Sequence, residues 1–404
     1  MQCRGSAHPF RPLMLGSRAL LITLLLSVGA SSRAAPCLAV PSPPVRQVAG
    51  LFDLPVRERA GVVVWNTSLG GDRLTAPLAT PHALFVGSMY VDRKTATIGS
   101  SALYALDKNT GRLKFTVPFQ GGLTSPVLSG ERVLVGEERG FLTALDQRSS
   151  AQRWKVPLGA PLSLPPVALD ERILVAAGPR LLSLQPQGGL VQWEQTLESP
   201  IRALVAGSEG LAVVLENGKL LGLSLENGAQ SWSWSSSEPM RPALQQREGR
   251  LMASDSTGRL VALNPATGQL VWEQRLPSPV EGMPGIDSGT VVVRTREGGL
   301  WALALDSGKT RWKQSHPVPG LGALLVGEQS IVFRQREQKL SVLKLDTGLP
   351  RWVIQVDRAV GLQAPASDDG KVFWIGTGGM VYAAMDPEQA HSQSDPLPSA
   401  RVRP

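Results

Sequence analysis

Apolar and polar positions alternate with a period of two along most of this chain, the pattern of half-buried strands. The alternation itself recurs every 39 or 40 residues. The unit is close to L-x-(A/L)-L-x-x-x-x-G-x-x-x-W and starts at Leu103, Leu142, Leu181, Leu220, Leu260, Leu300 and Leu340. An eighth copy, MVYAAMD, begins at Met380 and stops before its tryptophan. Each copy predicts a strand, a tight turn and a second strand. Asp107, Asp146 or Asn264 opens the turn, where its side chain can accept backbone N–H groups further along. Gly111, Gly189, Gly228, Gly268, Gly308 and Gly348 stand where such a turn needs a positive φ, and Ser150 is the exception. The last strand carries Trp154, Trp193, Trp232, Trp272, Trp312 or Trp352, with Phe115 in the first copy.

Between these hairpins lies a second strand pair, as in SPVLSGERVLVG (residues 125–136) and PPVALDERILVA (residues 165–176). Each unit therefore supplies four short antiparallel strands, the content of one propeller blade. Helical periodicity is absent from the body of the chain. GVVVWNTSLG (residues 61–70) holds Trp65 but has no partner hairpin, while the last copy lacks its fourth strand. Pairing the two completes a blade and leaves no open seam. The predicted fold is all-β: an eight-bladed β-propeller of four-stranded antiparallel blades over residues 61–386, closed by its N-terminal strand. The tryptophans, Trp65 among them with Phe115 in place of one, fall at equivalent positions. They are expected to pack between blades, where a large ring buries much apolar area and its N–H meets a carbonyl.

The ends read differently. Arg4, Arg11 and Arg18 precede the apolar run ALLITLLLSVGA, too short to span a bilayer, and small residues follow. This predicts an export signal over residues 1–35, with a start at Met1 or at Met14, and a periplasmic protein. Residues 36–60 read as a proline-rich tether and residues 387–404 as a disordered tail. Cys3 and Cys37 are the only cysteines, which excludes a disulfide framework. Cys37 is a candidate lipid acceptor that would anchor the chain to the outer membrane, although Pro36 directly before it fits a lipobox poorly.

Net charge is +8, but four arginines in the first 36 residues leave 37 basic against 33 acidic residues for the rest. With no long basic run, nucleic acid is not expected as a partner. His82 and His316 are the only histidines in the predicted body, so a histidine-rich metal site cannot be built. Phosphate-loop and nucleophile-elbow motifs are absent. No catalytic residue, metal or cofactor is predicted.

ALDKNTGRLKF and ALNPATGQLVW resemble the repeat of the pyrroloquinoline-quinone-like β-propellers over nearly the whole body. That superfamily holds quinone-dependent dehydrogenases and non-enzymatic scaffolds alike. The dehydrogenases surround calcium and quinone with carboxylates, an asparagine and a basic residue, and many carry adjacent cysteines, which this chain lacks. Within the superfamily the export signal, the compact length and WNTSL (residues 65–69) are most similar to the BamB-type lipoproteins of the machinery that assembles outer-membrane β-barrels. The resemblance implies a monomeric, non-enzymatic scaffold for protein partners. The alternatives are a quinone-dependent dehydrogenase or its degenerate relative, and a different periplasmic adaptor or sensor.

Departures from the repeat are the leads to a binding surface. The first unit spends 50 residues between Trp65 and Phe115, with the excess in SMYVDRKTATIGS (residues 88–100). Tyr90 and Arg93 make this a candidate contact loop. Arg202 and Arg241 precede the inner strands of the fourth and fifth blades. In a four-stranded meander these connections and the second-to-third turns emerge on one face. In BamB-type proteins a leucine- and arginine-bearing loop at the middle blades binds the partner, and Ile201, Arg202 and Leu204 fall in the comparable place. The loop is shorter here and no acidic pair precedes Arg241.

Overall fold

The computed structural model describes residues 59–394 apart from Arg93, Ala96, Ser235, residues 316–321 and Glu328, with side chains described to Ala390. The predicted signal, most of the tether, Cys37, Arg93 and His316 lie outside the described residues. The chain divides after Pro44, and every described residue belongs to the second unit.

The fold is an all-β propeller of eight sheets. Blade 5 shows the plan, with strands Gln245–Arg247, Arg250–Ser254, Arg259–Leu263 and Leu270–Arg275 paired antiparallel in that order. Hydrophobic clusters sit between blades rather than within them. One joins Leu134, Leu142 and Trp154 of blade 2 to Ile173, Val175 and Leu182 of blade 3, and seven more fill the other junctions. A strand in the middle of a blade therefore serves two junctions. In Thr290–Thr295 of blade 6, Val291 and Val293 face blade 5 while Val292 faces blade 7. Burial on both sides explains the unbroken apolar runs of the second strands. The outer strands keep the alternation, as in Gln152–Pro157, where Trp154 is buried between exposed neighbours.

Six of the eight junctions are clasped by a tryptophan among the described residues. Six indoles donate Nε1–H to a carbonyl in the third-to-fourth turn of the next blade, Trp65 to Lys108, Trp154 to Pro186, Trp193 to Leu225, Trp232 to Pro265, Trp272 to Leu305 and Trp312 to Leu345, at 2.8–3.0 Å. The ring lies on the glycine of that turn. At Gly308 a Cβ would sit 2.6 Å from Cε3 of Trp272, and φ is 67°, so the position excludes a side chain on two counts. The junction between blades 1 and 2 lacks both halves of the clasp: Phe115 replaces the indole, and Ser150 takes the turn position with φ of 64°.

Closure follows the same rule without a covalent turn. Val62–Ser68 pairs antiparallel with Met380–Met385 and completes blade 8. Just before it, Ala60 bridges Val353 in parallel, Gly61 N–H donates to Val353 O at 2.7 Å, and Val353 N–H donates to Arg59 O at 2.9 Å. Gly61 lies against Trp352, where a Cβ would enter the indole. Past the last strand, Pro387–Ser394 form a helix where composition predicts disorder. Asp386 Oδ1 accepts the Glu388 N–H at 3.0 Å, Pro387 starts the first turn, and Glu388 pairs with Arg59, so local capping outweighs composition.

Candidate partner-binding face

In each meander the second-to-third turns and the connections between blades emerge at one end, and the other two turns at the opposite end. The first end, the connection face, carries the predicted contact residues. The 88–100 segment is a hairpin rather than a loop. Strands Leu84–Asp92 and Thr97–Leu106 run on beyond the length of their counterparts, with Tyr90 opposite Ser100 and Asp92 opposite Thr97. Ser88 is buried and donates to Gly70 O at 3.0 Å, which roots the hairpin in the neighbouring connection. Asp72 Oδ2 accepts the Val91 N–H at 2.8 Å, and Tyr90 donates to Leu69 O at 3.3 Å while keeping 40% of its surface exposed.

Ile201 has a different role from the one its position suggests. It is 5% exposed and packs with Leu174, Leu181 and Leu211 in the cluster between blades 3 and 4. Leu204 lies half-buried against the same cluster. Both side chains serve the junction, because an inner strand begins where the connection ends. Arg202 alone of the three is exposed, and it pairs with Glu216 at the end of the neighbouring strand. Arg241 is half-buried, 3.7 Å from Glu281 of blade 6, and the same Glu281 oxygen accepts from Arg296 Nε at 2.9 Å.

These pairs belong to a series. Arg180 holds Glu194 with two hydrogen bonds of 2.6 and 2.9 Å, and Lys219 holds Glu198 at 2.6 Å. The Arg180 guanidinium keeps the Glu194 carboxyl below the usual carboxylate range, and Lys219 with Asn217 does the same for Glu198. The middle blades thus present arginines whose charge is met by the chain's own acids. Exposed pairs of this kind add little to stability, because water screens them. Sequence reading misses the acids Glu216 and Glu281, because the one lies in the turn after Gly210–Leu215 and the other in Val280–Asp287, and only the blade geometry brings them to the arginines. Two exposed apolar residues were also missed. Met283, 52% exposed, rides on an irregularity between Glu281 and Gly285, and Leu362, 53% exposed, sits in the connection to blade 8. The Gly-Met-Pro-Gly run at 282–285 breaks the period of two and carries the signal for the first.

Bound quinone with calcium needs converging carboxylates. Among the described residues no group of three His, Cys, Asp or Glu side chains could hold a metal ion. Also among the described residues, no helix is long and apolar enough to cross a membrane.

A ring of four-stranded blades closed by its first strand and clasped through tryptophan defines a propeller of the pyrroloquinoline-quinone-like class. The chain belongs to the family described as outer membrane protein assembly factor BamB, whose model matches residues 55–156, 138–279 and 242–393. No curated protein sequence matches it. Among solved structures it is similar to BamB from Moraxella catarrhalis, with a TM-score of 0.65 and 15% identity over 81% of this chain and 100% of that one. It is also similar to the quinohemoprotein alcohol dehydrogenase ADHIIG from Pseudomonas putida HK5, with a TM-score of 0.63 and 12% identity over 85% of this chain and 78% of that one. Saccharomyces cerevisiae Sqt1 gives 0.65 and 10% identity over 80% of this chain and 98% of that one. At these identities the likeness is one of fold alone.

Proposed function

We propose that this propeller is a non-enzymatic scaffold of the periplasm that binds protein partners in outer-membrane β-barrel assembly. The observation that carries the reading is the family match across residues 55–393. Two features support it. The repeated residues are used up in holding blades together, and the irregular ones gather on the connection face as a rooted hairpin and surface arginines. Arg202, Arg241 and Tyr90 are the proposed contacts, with Met283 and Leu362 as apolar neighbours. Arg93, beside Tyr90 in sequence, is proposed with them. Cys37 is the proposed site of a lipid that holds the chain at the outer membrane.

Affinity capture from envelope extract tests the reading. The chain should recover the barrel-assembly core, and Arg202→Glu with Arg241→Glu should lose it while the melting temperature stays within a few degrees. Recovery of a different partner in its place favours another adaptor role. Tight binding of pyrroloquinoline quinone with calcium, together with dye-linked oxidation of an alcohol or sugar, overturns the scaffold reading in favour of a dehydrogenase.

A further inference from the structure

On the face opposite the connections, the third-to-fourth turns of blades 1 and 2 differ in charge from those of blades 6 and 7. In blades 1 and 2 the residue that opens the third-to-fourth turn is an aspartate, and a cation seven positions later answers it. Asp107 lies 4.0 Å from Lys114, and Asp146 lies 2.6 Å from Arg153. In blades 6 and 7 the cation remains, as Arg311 and Arg351, but the turn opens with Ala304 and Lys344. Deprived of that carboxylate, Arg311 donates to Thr290 Oγ1 at 2.5 Å and Arg351 to Ser330 Oγ at 2.7 Å.

Arg311, Lys344 and Arg351 line a cavity of about 480 Å³ between the two blades, with Ser288, Thr290, Gln329 and Asp346 completing its polar wall. Asp346 is the one acid in the lining and accepts from Thr347 Oγ1 at 3.1 Å. Asp386 stands 3.8 Å from Arg351. Among the described residues neither Arg311 nor Lys344 forms an ion pair. Three cations against one lining acid, beside the hydroxyl of a buried threonine, are the donors an oxyanion needs.

We propose that this cavity binds a phosphate group, carried either by an anionic lipid headgroup or by a free phosphate. The lipid source has its own support in the path of the chain. Residues 59–61 run parallel to the outer strand Pro350–Gln355 of blade 7, with Ala60 beside Val353. Going backward from Ala60 the chain moves toward Pro350, the turn end, which is the end that holds the cavity. The first described residues thus enter the ring on the cavity's side. The lipid arm rests on the export and anchoring proposed above; the phosphate arm does not.

Three proteins test the site: the wild type, Lys344→Asp, and Arg275→Gln. The second restores the acid that blades 1 and 2 carry. The third removes an exposed cation from the outer strand of blade 5, outside the cavity lining. Titration with sodium phosphate at constant ionic strength should give saturable binding in the wild type and Arg275→Gln. It should be weakened about tenfold or more in Lys344→Asp, since a charge-assisted partner becomes a repulsive one. The melting temperature of Lys344→Asp should not fall, which separates loss of the site from loss of the fold. Co-sedimentation with phosphatidylcholine vesicles, with and without phosphatidylglycerol, then separates the sources. Binding to the anionic vesicles that Lys344→Asp abolishes assigns a lipid headgroup. Phosphate binding without vesicle binding assigns free phosphate. Absence of saturable phosphate binding, or equal binding by Lys344→Asp and wild type, overturns the proposal.

Discussion

The junction between blades 5 and 6 and the junction between blades 1 and 2 are built on the same backbone with different side chains. In the first, Trp272 donates to Leu305 O at 2.8 Å and its ring covers Gly308. In the second, Phe115 has no N–H to donate and packs instead with Phe85, their ring centroids 6.0 Å apart, while Ser150 holds the turn. Both halves of the clasp change together although they stand 35 positions apart in sequence. A serine Cβ occupies the place where the indole would lie, so the smaller ring and the larger turn residue suit each other. The repeat is therefore a rule for stacking neighbours, and a departure in one blade is answered in the next.

Breaking the clasp at its strongest point should have the largest effect. Trp272→Ala, which removes a buried indole and leaves a cavity at the junction, should cost about 3–5 kcal/mol in denaturant unfolding. Phe115→Ala should cost less, since this ring is only half-buried. Next comes Gly308→Ala, which forces a methyl toward the indole and a side chain into the left-handed region. A loss of roughly 2 kcal/mol is expected, read from the midpoint shift at constant m-value. Smaller, and opposite in sign, is Ser150→Gly. Relieving a non-glycine residue at positive φ should raise stability by about 0.5–1 kcal/mol.

The smallest effect is one of pH. Arg153, with the N–H groups of Arg148 and Ser149, holds the Asp146 carboxyl below its ordinary value, and hydrogen bonds from Thr110 and Asn109 do the same for Asp107. A depressed carboxylate stabilises the folded state above its unfolded value of about 4 and loses that contribution as pH falls toward the folded value. Amide exchange should therefore show the turns of blades 1 and 2 beginning to loosen as pH falls below about 4. The turns of blades 6 and 7, opened by Ala304 and Lys344, should change little. Equal loosening in all four blades would assign the acid sensitivity to something other than the turn acids.

The fold was legible in the sequence because its signals are local and repeat. The turn acid, the glycine and the terminal tryptophan of one copy lie within a dozen residues, and a constant period superimposes the copies. Even the closing strand shows as an unpaired WNTS segment matched by a blade one strand short. The candidate face was legible only in part. Arg202 and Arg241 stand out as breaks in the pattern, but their partners Glu216 and Glu281 do not. Exposure was misjudged as well: Ile201 lies beside Arg202 yet belongs to a junction, because successive residues of a strand face opposite ways. The helix Pro387–Ser394 was hidden by a composition that outweighs a short capping signal.

A double-mutant cycle at the junction of blades 1 and 2 tests the stacking rule most directly. Phe115→Trp alone should gain nothing, because Ser150 occupies the place of the ring, and Ser150→Gly alone should gain modestly. Together they should exceed the sum of the single changes by about 1 kcal/mol or more, since the indole can then cover the glycine and reach the turn carbonyl. Strict additivity of the two substitutions would contradict the rule, for it would mean that tryptophan and glycine serve their own blades and not the junction between them.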